Sequence, residues 1–258
     1  MQRSSRVDYD SIAPLYDSQP HRHKSPDPAL AAFLAGHAGA ERLALLDIAC
    51  GTGNQLVANR ALVPSASMVG LDGSLGMLCR AQAKSAGIAW VQGESAALPF
   101  RSAAFDFASC QYAFHHFRDK GAMLREAFRA LRPAGRLAIY NMCPQDSPDW
   151  LYYSYFPDAL ARDLADFWPP EAIVAEMAAV GFTALAVERR HRQADRDLAE
   201  FLAAVRRRDR NSQLLTLSDA AYEEGLRHIE RDLSDPDSSK VRPDHLCFVT
   251  ITGDKPLA

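Results

Sequence analysis

Between residues 43 and 181 short apolar runs alternate with helical patterns, and that alternation leaves few folds open to the chain. Runs at 43–48, 68–71, 88–92, 105–111 and 136–143 have the length and bounding turns of strands. The stretches between them repeat with a helical period. In 119–131, for example, Met123, Leu124, Ala127, Phe128 and Leu131 form one stripe, Asp119 stands at the N-cap and Arg132-Pro133-Ala134-Gly135 reads as a stop. A further helix opens at Pro169-Pro170, carries Ile173, Val174, Met177 and Val180 on one face, and ends at Gly181. Strands six and seven fall at 182–187 and 245–252. Strands separated by helices pair in parallel, so the pattern predicts an α/β fold with a sheet covered on both faces.

The expected architecture is a Rossmann-like seven-stranded, mostly parallel sheet with helices on both faces. Three segments stand outside it: an N-terminal arm over 1–42, an aromatic-rich insert over 145–170, and an insert over 189–244 with two amphipathic helical patterns. The expectation is one domain over 1–258, in which 43–144 forms the ligand-binding half, the arm supplies a lid helix and the inserts supply a helical, aromatic cap.

A length of 258 residues with 48% hydrophobic and 24% charged residues suits a globular domain with a sizeable core. The net charge of −3 gives no general attraction to nucleic acid or anionic membranes. No apolar run has the length of a membrane span, and Met1-Gln2-Arg3-Ser4-Ser5-Arg6 lacks the apolar core of a signal peptide, so a cytoplasmic location is expected. Cys50, Cys79, Cys110, Cys143 and Cys247 are odd in number and never spaced C-x-x-C. They read as small buried hydrophobes, with no disulfide frame and no metal site expected. Two arginine runs, Arg189-Arg190-His191-Arg192 and Arg206-Arg207-Arg208 with Arg210, read by default as solvated helix faces.

The strand at 43–48 leads through Asp47-Ile48-Ala49-Cys50-Gly51-Thr52-Gly53 into a helix. Glycines at such a turn let the backbone bend sharply and approach a ligand without a Cβ in the way. Roughly 20 residues on, the second strand ends in Asp72, placed to accept from the two hydroxyls of a ribose. Leu56 stands where a dinucleotide fingerprint needs a small residue, and no P-loop lysine follows. The loop therefore suits an adenosine ligand without phosphates better than NAD or ATP.

Together with Leu45 to Gly53 and Val69 to Asp72, the segments Gln92-Gly93-Glu94-Ser95-Ala96-Ala97-Leu98-Pro99-Phe100, Phe105-Asp106-Phe107, Phe114-His115-His116-Phe117 and Leu131-Arg132-Pro133-Ala134-Gly135-Arg136-Leu137 occur in a telling order. The chain resembles class I S-adenosylmethionine-dependent methyltransferases, in the subgroup of the ubiquinone/menaquinone-type and many natural-product enzymes. The likeness runs from about Tyr9 to Gly181, and the segment Tyr9-Asp10-Ser11-Ile12-Ala13-Pro14-Leu15-Tyr16-Asp17 resembles the helix that closes over the cofactor there. The resemblance implies S-adenosylmethionine as cofactor, S-adenosylhomocysteine as product, no metal, and a small-molecule acceptor of the kind met in secondary metabolism. It implies that Asp47 orients the loop and that Ala49, Gly51 and Gly53 pass the methionine part. Asp72 would hold the ribose, Gly73 and Met77 would line the adenosine, and Gly93, Glu94 and Ser95 would read the adenine. Cys110 and Gln111 would flank the sulfonium and amino group, with Tyr16 in the lid. The family's first loop glycine is Ala49 here, and its usual aspartate at the adenine is Glu94.

Methyl transfer asks the protein to align a nucleophile with the S–C bond, to exclude water, and to take a proton when the acceptor carries one. His115 and His116 are the base candidates, with His116 preferred. Tyr9, Asn141, Trp150 and Tyr153 are the candidates for the acceptor pocket, and the aromatics of the 145–170 insert suggest an aromatic or apolar acceptor. Arg22, in the cluster His21-Arg22-His23-Lys24, is a candidate for the methionine carboxylate. The competing readings are a non-catalytic S-adenosylmethionine-binding module and a nicotinamide-dependent oxidoreductase, the latter opposed by Leu56. The acidic residues near the arginines argue against RNA. A monomer or a homodimer is expected.

Overall fold

The computed structural model describes residues 8–18, 23–37, 43–208 and 211–257. It divides into two compact units: 8–141 with 170–188 and the residues from 250 onward, and 142–169 with 189–249.

The strands β1 (Ala44–Ile48), β2 (Ser67–Asp72), β3 (Ala89–Gln92), β4 (Phe105–Gln111), β5 (Leu131–Met142), β6 (Thr183–Asp197) and β7 (Val241–Asp254) form one sheet in the order β3-β2-β1-β4-β5-β7-β6. The pairs β1–β2, β1–β4, β2–β3 and β4–β5 are parallel. Strand order reverses between β1 and β4, the place where open α/β sheets bind ligands. Central strands are mainly apolar because both faces are covered: Leu45, Leu46, Ile48, Phe107, Ala108 and Cys110 are all buried.

The crossovers obey their caps. The helices are α1 (Tyr9–Tyr16), α2 (Pro28–Ala35), α3 (Asn54–Asn59), α4 (Leu75–Lys84) and α5 (Lys120–Ala130). Asp27, Ser74 and Asp119 accept from the first-turn N–H groups of α2, α4 and α5, each substitution to Ala costing about 1 kcal/mol. Of the predicted stripe, Met123, Leu124 and Ala127 are buried on α5, Phe128 is part-buried and Leu131 already belongs to β5. The helix ends at Ala130, just ahead of the expected stop, and β5 starts at Leu131 directly, so the Pro133-Ala134-Gly135 stretch is absorbed as a bulge with Ala134 at φ +62°.

The second unit holds α6 (Leu151–Tyr155), α7 (Pro157–Asp166), α9 (Leu198–Val205), α10 (Ser212–Leu215) and α11 (Asp219–Ser234), while α8 (Pro170–Val180) packs in the first. Its core joins Trp150, Tyr153, Tyr155 and Phe156 to Phe201, Leu202, Tyr222 and Ile229, so the two inserts share one apolar interior. The run 189–192 is not a helix face but the exposed outer stretch of the edge strand β6. There Arg189 bonds Asp146 at 2.9 Å, while Arg192 and Arg196 reach the buried Asp244 at 3.4 and 3.6 Å. Charges on an edge strand discourage pairing with other chains. Arg208, in the second run, bonds the carbonyl of Leu214 at 2.9 Å and the carboxylate of Asp219 at 2.7 Å. Arg210 lies outside the described residues.

Candidate active site

The turn from β1 to α3 is left-handed at Ala49 (φ +59°), Gly51 (φ +54°) and Gly53 (φ +75°). Asp72, at the end of β2, fastens it: one carboxylate oxygen accepts Gly51 N–H at 2.7 Å and the other accepts Ser74 N–H at 2.9 Å. A methyl group on Gly51 would meet nothing within 4 Å, so space is open beside the turn. On Gly53 it would overlap the indole of Trp90. The two glycines of one motif thus differ, with open space beside Gly51 and helix-to-sheet packing at Gly53.

Beneath the turn lies a group of buried acids. Asp47 is 2% exposed and accepts from the Ser109 hydroxyl at 2.8 Å. Burial, with Asp27 and Asp72 nearby, pushes its pKa up to about 7. Asp27 is pushed up by burial as well, although the Tyr140 hydroxyl, the Ala29 and Leu30 amides and the Gln111 side chain all donate to it. Asp72 too is raised by burial against the opposing backbone bonds. Asp27 carries no mark in the sequence; its second role, holding the Gln111 amide at 3.3 Å, exists only once 27 and 111 meet.

Helix α1 lies against the N-terminal end of α4. Asp10 accepts from Ser74 Oγ and Gly76 N–H, both at 2.7 Å, and these bonds hold its pKa down. Asp17 accepts from Thr52 Oγ1 at 2.6 Å and Asn54 Nδ2 at 2.9 Å, and pairs with Lys84 at 2.7 Å. Burial works to raise the Asp17 pKa, but those partners outweigh it and the result is a lowering. The arm is thereby tied to both the glycine turn and the helix after Asp72.

At the C-terminal end of β4 the 3-10 turn Phe114–His116 carries both histidines. Tyr9 of α1 and His116 Nε2 are 2.6 Å apart through the tyrosine hydroxyl. His115 Nδ1 lies 3.2 Å from Asn141 Oδ1, and the two imidazoles stand 3.8 Å apart. Burial lowers the His115 pKa well below the usual histidine range, and His116 adds to the effect. Both histidines are part-buried.

Several predicted site residues gather at this edge of the sheet. Tyr9, Tyr16, Ala49, Gly51, Asp72, Gly93, Ser95 and Gln111 are part-buried there, and Glu94 is exposed beyond β3, where Gly93 N–H bonds the Asp72 carbonyl at 3.1 Å. Gly73 is joined to β3 through the Gln92 side chain, whose Nε2 donates to its carbonyl at 3.2 Å. Met77 and Cys110 differ: at 1% and 0% exposure they belong to the core. Their apolar character serves packing, and the Cys110 thiol is pushed well above its usual pKa by burial. Trp150 and Tyr153 lie in the core of the second unit, where Tyr153 donates to Asp163 at 2.7 Å and Trp150 Nε1 is buried without a partner. Arg22 falls outside the described residues. Among the described residues no cluster of His, Cys, Asp or Glu is set to hold a metal, and no helix is long and apolar enough to cross a membrane.

A glycine turn clamped by the acid of the next strand lies at the reversal of strand order, where open α/β sheets gather ligands. Residues 46–139 match the family model described as a methyltransferase domain. The chain is similar to the demethylmenaquinone methyltransferase of Thermus thermophilus, 29% identical over 166 residues, covering 54% of this chain and 74% of that one. To the corresponding protein of Lactiplantibacillus plantarum it is 31% identical over 154 residues, covering 54% and 63%. Among solved structures, phosphoethanolamine N-methyltransferase 2 of Haemonchus contortus, in complex with phosphomonomethylethanolamine and S-adenosylhomocysteine, superposes with a TM-score of 0.61 at 19% identity. The match covers 99% of this chain and 59% of that one. The [4+2]-cyclase SpnF gives a TM-score of 0.60 at 18% identity, covering 97% and 94%. At such identities the structural likeness establishes the fold alone.

Proposed function

We propose that the protein transfers the methyl group of S-adenosylmethionine to an oxygen, nitrogen or carbon nucleophile of a small, aromatic or apolar molecule. The observation that carries this is the open cradle at Gly51 with the Asp72 carboxylate fixed at its rim. A carboxylate accepts more than one hydrogen bond per oxygen, so Asp72 can hold its two backbone donors and still receive ribose hydroxyls. Ala49 and Gly51 leave room for the methionine part, while Gly73, Gly93, Glu94 and Ser95 stand where the adenosine would lie. Gln111, steadied by Asp27, and Tyr16 of the docked arm complete the cofactor side. The carboxylates of Asp47, Asp72 and Asp27 near the turn suit a ligand bearing a sulfonium and an ammonium.

The cofactor, when bound, supplies a methyl carbon already activated by positive sulfur. The chain's own tasks are then to hold the acceptor in line, to exclude water and to manage its proton. Tyr9 and His116 close one side of the site through their 2.6 Å contact, and the histidine pair is the group that receives the proton. A cytoplasmic setting fits this reading.

Calorimetric titration with S-adenosylhomocysteine tests it. Wild-type protein should bind, and Asp72→Ala should lose about 100-fold or more in affinity, the worth of two charge-assisted hydrogen bonds. Retained affinity in that variant would remove Asp72 from the site. Incubation of wild type with methyl-labelled S-adenosylmethionine and a panel of phenols, enols and amines, followed by product mass, separates turnover from binding without chemistry.

A further inference from the structure

We propose that Cys143 and Cys247 form an oxidisable dithiol, a modification site at which a small peroxide converts the two thiols into a reversible disulfide inside the second unit. The site is independent of the methyl-transfer reading.

The pairing rests on main-chain geometry. Cys143 N–H donates to the Cys247 carbonyl at 2.9 Å. In the return direction Cys247 N–H donates to Ser147 Oγ at 2.8 Å, and that hydroxyl donates to the Cys143 carbonyl at 2.7 Å. Two residues that exchange both bonds, one of them here relayed by a hydroxyl, stand directly opposite in an antiparallel pair. Their side chains share a face, and their Cα atoms are about 5.5 Å apart. Disulfides span Cα separations of about 4.4–6.8 Å, so closure asks for side-chain rotation and little movement of the backbone. The Cys143 thiol lies within hydrogen-bonding reach of the Cys247 sulfur. No spacing pattern joins residues 143 and 247 in the sequence, and only strand pairing brings them together.

The surroundings set the order of events. Cys143 and Cys247 are 1% and 0% exposed, yet Asp146 and His191 beside their sulfurs are exposed. Cys143 Sγ donates to Asp146 Oδ2 at 3.2 Å, and His191 Nε2 lies 4.0 Å from Cys247 Sγ. Burial and the bond to Asp146 push the Cys143 pKa up to about 12. At Cys247 burial and Asp146 also raise the pKa, while Arg189 and Cys143 oppose the rise. The thiolate is the nucleophile, so Cys247 attacks first and Cys143 resolves. With hydrogen peroxide, the Cys247 sulfur takes one oxygen as the O–O bond breaks, giving a sulfenic acid. The thiol proton leaves with the displaced hydroxide as water. The Cys143 sulfur then displaces the sulfenic hydroxyl, which takes the Cys143 proton and leaves as a second water, and the S–S bond forms. Two thiols are oxidised and one peroxide is reduced. Burial selects the oxidant: a peroxide of two heavy atoms reaches the sulfurs, whereas a peptide disulfide such as oxidised glutathione does not.

Peptide mapping of wild-type protein after exposure to excess hydrogen peroxide tests the pair. Peptides carrying residues 143 and 247 should be found joined and two hydrogens lighter in most chains, and dithiothreitol should separate them. The joined form should melt about 5 °C higher, because the bond closes a loop of about 100 residues in the unfolded chain. In Cys143→Ser oxidation should stop at Cys247 as a sulfenic acid that dimedone traps. In Cys247→Ser, residue 143 should take up at least tenfold less dimedone. Oxidised glutathione at the same concentration should join the pair at least tenfold more slowly than peroxide, and equal rates refute the selection by size. Residues 143 and 247 left unjoined, or joined by preference to Cys50, Cys79 or Cys110, overturn the proposal. So does a joined form that melts below the reduced one, since the strand pair would then not accept the bond. The wild-type map decides the matter even if neither variant folds.

Discussion

Gly51 and Gly53 both have left-handed backbones, yet only Gly53 is pressed against a neighbour, the Trp90 indole. Gly51→Ala should cost about 1 kcal/mol of stability, the penalty of an L side chain at positive φ, and should lower S-adenosylhomocysteine affinity at least tenfold. Gly53→Ala should cost about 2–4 kcal/mol, read by urea unfolding, and Trp90→Leu should restore part of it. Equal losses of stability in the two variants would contradict this division. Strand-end glycines were visible in the sequence, but which one borders open space and which one faces a tryptophan was not, because Trp90 sits 37 residues away from Gly53. The same holds for Met77 and Cys110, whose motif positions pointed to the cofactor while their side chains fill the core.

Helix α1 has eight residues and a proline at position 14, too little to persist as a helix by itself. Its order comes from docking: Asp10 on the first turn of α4, Asp17 on Thr52, Asn54 and Lys84, and the Arg80 guanidinium on the Pro14 carbonyl at 2.9 Å. Asp17→Ala should therefore free the arm, raising the dissociation rate of S-adenosylhomocysteine about 10-fold with little change in the melting temperature of the remaining sheet. Stopped-flow release and amide exchange over 9–16 check this, and unchanged exchange there would refute it. Element type was legible wherever apolar period and caps agreed, as in β1, β4 and α5. It failed at 132–135, where a Pro-Ala-Gly stop became a bulged strand, and at 189–192, where arginines read as a helix face lie on a sheet edge. Hydrogen bonding between strands overrode local propensity in both places.

Across the molecule, buried acids tie stability to pH. Asp47 and Asp27 have raised pKa values, Asp47 to about 7, and in the second unit burial pushes Asp163 up to about 6. A carboxyl whose folded pKa is raised contributes stability that is full below the unfolded value near 4 and is lost as pH rises through the folded value. The ligand-free protein should thus lose about 2–4 kcal/mol from Asp47 between pH 4 and 8. Asp47→Asn should be less pH-sensitive than wild type in urea unfolding over that window, and parallel curves would exclude the linkage. The sequence by itself determined the alternating α/β order and marked the glycine turn together with the acid that ends the next strand. These rest on local period, caps and turns, which nearby residues settle among themselves. Only the tertiary structure decided that Asp27 steadies Gln111, that Tyr9 meets His116, and that Asn141 meets His115. Those contacts join positions 26 to 107 residues apart, and no local pattern encodes them, because they arise only where separate strands end at one edge of one sheet.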